Sequence, residues 1–115
     1  MTSLFTATQR LRLLANGEKS SKDEGFDPKP VVKLFTPSAG AIWLLSELNP
    51  SDQGRAFGLC DLGLGCPELG YVSISELEGL RHTLRAGVER DRSWQAVKTL
   101  SAYADEARAH GRIMA

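Results

Sequence analysis

Apolar residues recur along this chain with two different periods, and the change of period marks where helix gives way to strand. Ala7, Leu11, Leu14 and Ala15 return on one side of a 3.6-residue repeat, which predicts an amphipathic helix. Thr6 and Gln9 stand three apart at its start, the spacing at which a hydroxyl and an amide satisfy each other's free backbone N–H groups. Gly17 supplies a helix stop. The polar stretch Glu18–Pro30 has no periodic apolar face, with Phe26 its only large apolar anchor, so an exposed connection is expected at about residues 18–30.

The period then shortens. Val31–Thr36, Ala41–Leu48, Arg55–Leu62 and Leu69–Val72 are short runs rich in Val, Leu, Ile and aromatics. Pro, Gly, Asn and Asp fill the gaps between them: Pro presets φ, Gly supplies positive φ, and Asn or Asp bonds its own backbone. Connections this short favour an antiparallel meander over helical crossovers. Ser73 and Glu76 have capping-box spacing, and Val72 and Leu77 are placed for a hydrophobic staple, so a second helix starts straight from the fourth run. Ile74, Leu77, Leu80 and Leu84 give it an apolar face despite Gly79. Val88–Trp94 reads as a fifth, edge-type strand, its charges discouraging edge-to-edge aggregation. Leu100–His110 reads as a last helix with Leu100, Tyr103, Ala104 and Ala107 inward and Gly111 as its stop. The expected architecture is a single α+β domain over residues 1–115. It has an antiparallel meander of four to five strands and about three helices packed mainly on one face.

Alternation within the strands divides the sheet residues into two sets. Val32, Leu34, Ile42, Leu44, Leu48, Ala56, Cys60 and Leu62 share one parity and are all apolar. Lys33, Phe35, Trp43, Leu45, Glu47, Phe57, Leu59 and Asp61 share the other. If the strands align by parity, the second set forms a mixed aromatic and charged surface. Lys33, Phe35, Trp43, Glu47, Phe57 and Asp61 then become the candidate binding residues. The plainer reading of the same residues is an outer face with ordinary cross-strand ion pairs, Lys33 with Glu47 or Asp61.

Charge adds a constraint. Lys+Arg and Asp+Glu are equal at 14 each, so the chain has neither the bulk basic excess of a phosphate-driven nucleic-acid binder nor the acidity of a DNA mimic. The basic run Arg81, Arg85, Arg90 and Arg92, with His82, is interrupted by Glu89 and Asp91 and reads as a solvated face. There is no export signal and no apolar stretch near the roughly 20 residues of a membrane span, so a cytoplasmic protein is expected.

Catalytic patterns are sparse. Gly63-Leu64-Gly65 starts like a dinucleotide loop, but a strand follows where a helix N-terminus would have to meet the pyrophosphate. Cys60, Cys66, His82 and His110 lack zinc-knuckle spacing, so no metal site is expected from them. Glu47, Asp61 and Glu68 are the weak catalytic candidates. On adjacent strands they would need to converge to hold Mg²⁺, with Lys33 placed to stabilise charge on a phosphoryl oxygen.

Five strings carry a resemblance: Pro-Val-Val-Lys-Leu-Phe-Thr-Pro (30–37), Trp-Leu-Leu-Ser-Glu-Leu (43–48), Phe-Gly-Leu-Cys-Asp-Leu-Gly-Leu-Gly-Cys-Pro-Glu-Leu-Gly-Tyr-Val-Ser (57–73), Val-Glu-Arg-Asp (88–91) and Leu-Ser-Ala-Tyr (100–103). Through them the chain resembles the bacterial domain-of-unknown-function family 2958 (DUF2958) over nearly its whole length. The resemblance implies carriage on plasmids and other mobile elements, near genes for DNA transfer or defence evasion. It supplies no catalytic residues, although some members bear a label suggesting a single-stranded DNA endonuclease.

Together these readings lead to an expected function. It is a small non-enzymatic accessory protein of a mobile genetic element, acting without a cofactor by binding a protein or nucleoprotein partner, with no strong sign of direct nucleic-acid binding. Two alternatives stay open: a metal-dependent single-stranded DNA nuclease built on Glu47, Asp61 and Glu68, and an inhibitor of a restriction or CRISPR effector.

Overall fold

A computed structural model describes residues 4–80 and 87–115 of the chain. Its elements run α1 (Ala7–Ser20), β1 (Val32–Phe35), β2 (Ile42–Asn49), β3 (Asp52–Asp61), β4 (Glu68–Ser73), α2 (Ile74–Gly79), β5 (Glu89–Arg90) and α3 (Leu100–His110). The five strands form one antiparallel sheet in the order β4-β3-β2-β1-β5. The first four strands are the expected meander, and β5 adds to the far side of β1 as a short edge strand.

Three of the caps read from the sequence, Thr6, Ser73 and Gly111, set helix ends. Thr6 Oγ1 accepts the Gln9 amide at 3.0 Å while Gln9 Oε1 accepts the Thr6 amide at 2.9 Å, which opens α1. Ser73 Oγ accepts the Glu76 amide at 3.3 Å and opens α2 directly from the end of β4. Gly111 closes α3 in the left-handed conformation, at φ 71°, where a side chain would be strained. The Leu84 end of the second helical stretch, together with Arg81, His82 and Arg85, lies outside the described residues.

Helix α1 departs from expectation at two points. It does not stop at Gly17 but continues to Ser20, and its buried positions are Leu13 and Gly17, whereas Leu11 and Ala15 face outward. Gly17 is a contact residue: a Cβ there would overlap the Leu48 carbonyl oxygen of β2. Next to it, Asn16 Nδ2 donates to the Ser46 carbonyl oxygen at 2.9 Å. Ser46 sits where the β2–β3 register shifts, and such a bulge leaves backbone groups unpaired by the ladder. Asn16-Gly17 thus docks α1 on the irregularity in β2, with the glycine allowing close approach and the amide supplying the missing donor.

Both faces of the sheet are covered. One carries Val32, Leu34, Trp43, Leu45, Leu48 and Ala56, packed with Leu13 of α1, Ile74 and Leu77 of α2, and Leu4, Phe5 and Val88. The other carries Leu44 and Leu59, packed with Leu100, Tyr103, Ala104 and Ala107 of α3 and with Ile113. Among the described residues, helices α1 and α2 therefore share one face, and α3 packs on the opposite one. The pairing corrects the parity alignment for the first half of β2. Directly opposed residues of an antiparallel pair share a face, and Val32 opposes Leu45 while Leu34 opposes Trp43. Trp43 and Leu45 accordingly join the Val32–Leu34 side, and Ile42 and Leu44 join Lys33 and Phe35. The β2–β3 bulge then shifts the alternation, so that Leu48 returns to the Val32 side opposite Ala56.

The connection after α1 is tied down at its far end. Asp27 Oδ1 accepts the Ser101 amide at 3.1 Å, and its other oxygen accepts the Ser101 hydroxyl. The Pro28 carbonyl oxygen accepts the Leu100 amide at 2.9 Å. The start of α3 is therefore capped partly from 74 residues upstream.

Candidate functional site

Of the residues expected to form one mixed surface, strand pairing places Lys33, Phe35, Glu47, Phe57 and Asp61 on the α3 face and Trp43 on the opposite one. Lys33 and Asp61 lie on the α3 face, and both hold the C-terminal stretch. Asp61 is 3% exposed. Its Oδ2 accepts the Ile113 amide at 2.9 Å and its Oδ1 accepts the Gly63 amide at 2.8 Å. Lys33 Nζ donates to the Ala115 carbonyl oxygen at 2.9 Å and lies 3.7 Å from Asp91 Oδ2. Trp43 is buried on the opposite face, in the core shared by α1 and α2. Phe35, on β1, borders a shallow depression with Thr36 and Pro37. Of the expected six, only Phe57 reaches the open aromatic surface described below.

The carboxylates do not converge. Asp61 opposes Ile42 on the α3 face, whereas Glu68 opposes Cys60 on the other face. Glu47 opposes Phe57, four residues along β3 from Asp61, or roughly 13 Å at the rise of a strand. Burial pushes the Glu47 carboxyl above its ordinary range, against a hydrogen bond from Ser20 at the end of α1 that lowers it. Cys60 is pushed up to about 11, first by burial and then by the negative charge of Glu68, so its thiol is not an activated nucleophile. Among the described residues, no three His, Cys, Asp or Glu side chains come together as a metal ion would require.

Two other places have chemistry to offer. The first is the outer rim of the sheet at β4, where no other described strand pairs. Leu69 opposes Leu59 and Tyr71 opposes Phe57, so both belong to the α3 face. Helix α3 covers Leu59 and Leu44 but leaves Leu69 36% and Tyr71 46% exposed. The Phe57 and Tyr71 rings meet edge to face with centroids 5.2 Å apart, and the Arg55 guanidinium stands 5.5 Å from the Tyr71 centroid. This is an aromatic and cationic patch beside an open strand edge. Strand parity picked out Phe57 of this patch but not its neighbours, because Leu69 and Tyr71 look like ordinary edge-strand positions until α3 is seen to stop short of them.

The second place is a cavity of about 500 Å³ between α1, the chain entering β1 and the chain leaving β5. Arg12, Lys29, Arg92 and Trp94 contribute to its wall. Their positions in three separate segments gave no sequence signal.

The fold and these rims define a small α+β domain with a sheet enclosed on both faces and chemistry at its edges. The chain belongs to the family described as "Protein of unknown function (DUF2958)", whose match covers residues 4–114. No curated protein and no solved structure matches it. Among the described residues, no helix is long and apolar enough to cross a membrane.

Proposed function

We propose that this protein is a non-enzymatic accessory factor of a mobile genetic element that binds a protein or nucleoprotein partner, engaging it through the outer rim of β4. The exposed pair Leu69 and Tyr71, flanked by Phe57 and Arg55, carries this reading. Tyr and Arg are the residue types that most often dominate binding energy at interfaces, and an open strand edge offers main-chain hydrogen bonds to an incoming segment. The carboxylates that a nuclease would need support the same reading, since Asp61 is spent on two backbone amides and Glu68 faces away from it.

A photo-crosslinking amino acid placed at position 71 in the native host, followed by identification and purification of the adduct, tests the proposal. The purified partner is expected to bind wild-type protein at least tenfold more tightly than Leu69→Ser/Tyr71→Ser. Equal affinity for the two, or no adduct, would overturn the β4 assignment. Metal-dependent cleavage of single-stranded DNA that survives purification and disappears in Glu68→Gln would overturn the non-enzymatic reading.

A further inference from the structure

The cavity beside β1 and β5 carries a separate inference, independent of the β4 rim. Its charged lining is wholly cationic: Arg12 from α1, Lys29 from the chain entering β1, and Arg92 from the chain leaving β5. The chain as a whole has equal numbers of cationic and anionic residues, so three cations meeting without a carboxylate in the wall are a local arrangement that composition does not impose. The carboxylates nearest in sequence already have partners. Asp91 accepts the Ser93 amide at 3.2 Å and pairs with Lys33, and Asp27 is held by Ser101. The side chains of Arg12, Lys29 and Arg92 make no hydrogen bond or ion pair with another described residue. An anion in the cavity is attracted by all three, and the planar guanidinium fork matches phosphate oxygens in particular.

The rest of the wall suits what a phosphate would carry. Trp94 is half-buried and rests against Tyr103 of α3, the ring centroids 6.0 Å apart, which holds the indole in place as part of the lining. An indole beside cations is a platform on which a planar ring stacks. The Gln9 and Gln95 amides can both donate to and accept from the edge of such a ring. The volume lies within the range of small-molecule sites. We propose that this cavity binds a phosphorylated nucleoside, either free or as one unit of a single strand. Arg12, Lys29 and Arg92 hold the phosphate and Trp94 stacks on the base.

Calorimetric titration of the full chain at low salt tests this with four probes: a nucleoside 5′-monophosphate, the same nucleoside without phosphate, inorganic phosphate, and a short single-stranded oligodeoxynucleotide. The monophosphate or the oligonucleotide is expected to bind at least tenfold more tightly than the nucleoside or inorganic phosphate, with affinity falling as salt rises. The variant Arg12→Gln/Lys29→Gln/Arg92→Gln is expected to lose at least tenfold while melting like the wild type, because all three side chains are exposed. Binding of the monophosphate as tightly as the oligonucleotide assigns a free nucleotide, and binding of the oligonucleotide alone assigns a strand. The proposal is overturned if neither binds, if inorganic phosphate or the unphosphorylated nucleoside binds as tightly as the better of the two, or if the triple variant binds like the wild type.

Discussion

Asp61 and Ile113, 52 residues apart in the chain, are joined by a buried hydrogen bond of 2.9 Å from the Ile113 amide to Asp61 Oδ2. The other Asp61 oxygen accepts the Gly63 amide, so one carboxylate fixes both the turn after β3 and the segment after α3. Asp61→Ala leaves two amides without their acceptor and is expected to cost about 2–3 kcal/mol in urea unfolding. Hydrogen exchange should accelerate at Ile113 while the α1 amides stay protected. Asp61→Asn retains one carbonyl oxygen and should lose less.

The close approach of α1 to β2 gives a second expectation. Gly17→Ala places a methyl group on the Leu48 carbonyl oxygen, which can be relieved only by lifting the helix from the sheet. A loss of about 2–4 kcal/mol is expected, the range of an overpacked or disrupted core contact. Asn16→Ala removes one donor from the Ser46 carbonyl and should cost nearer 1 kcal/mol. Chemical denaturation of both variants checks the order, and Asn16→Ala proving the more damaging would contradict the docking role given to the glycine.

Those two residues also show where sequence reasoning fell short. Helix α3 was legible throughout, in its bounds, its four buried positions and its glycine stop, because one side meets the sheet and the other meets water, giving a clean 3.6-residue pattern. Gly17 broke that logic in α1, since a contact made by a missing side chain leaves no hydrophobic signal and reads as a terminator. In β2 the run Ile42-Trp43-Leu44-Leu45 is apolar at every position because both faces are roofed, so alternation carries no information about which side is which. The order of the first four strands and their antiparallel sense followed from loop lengths, whereas the place of β5 beside β1 did not. Their relative register depended on pairing and on the bulge near Ser46, neither of which periodicity encodes. The candidate surface inherited that error in placing Trp43 beside Lys33 and Asp61.

Glu47 should make stability depend on pH. Burial raises its carboxyl above the ordinary 4.5, so folding favours the protonated form. Its contribution is fully present below pH 4.5 and declines as pH rises through the raised value in the folded protein. Glu47→Gln is therefore expected to be more stable than the wild type at pH 7, with the advantage vanishing near pH 4. Thermal melts of the two proteins at both pH values check this, and a variant less stable at pH 7 would contradict it.

Asp27 has the opposite sign. Burial acts to raise its carboxyl, but hydrogen bonds from the Ser101 hydroxyl and amide and from Thr99 outweigh burial and hold it below the ordinary 3.8. Its contribution is present above pH 3.8 and fades as pH falls through the lowered value. Asp27→Ala is expected to cost about 0.5–1 kcal/mol at pH 7, at the low end for a lost cap because the site is largely solvated and screened. Faster exchange of the Ser101 amide should accompany the loss, and the two proteins should draw together in stability as pH falls through the lowered value.

A sheet roofed above and below has only its perimeter to present, and the two rims stand at opposite ends of the strand order. Four inter-strand steps separate β4 from β5, roughly 19 Å at the usual spacing. A polypeptide laid along one rim would not collide with a nucleotide lodged at the other, and neither would have to disturb the helices that hold the domain together. Occupancy of either proposed rim would therefore leave the other open, the width of the sheet away.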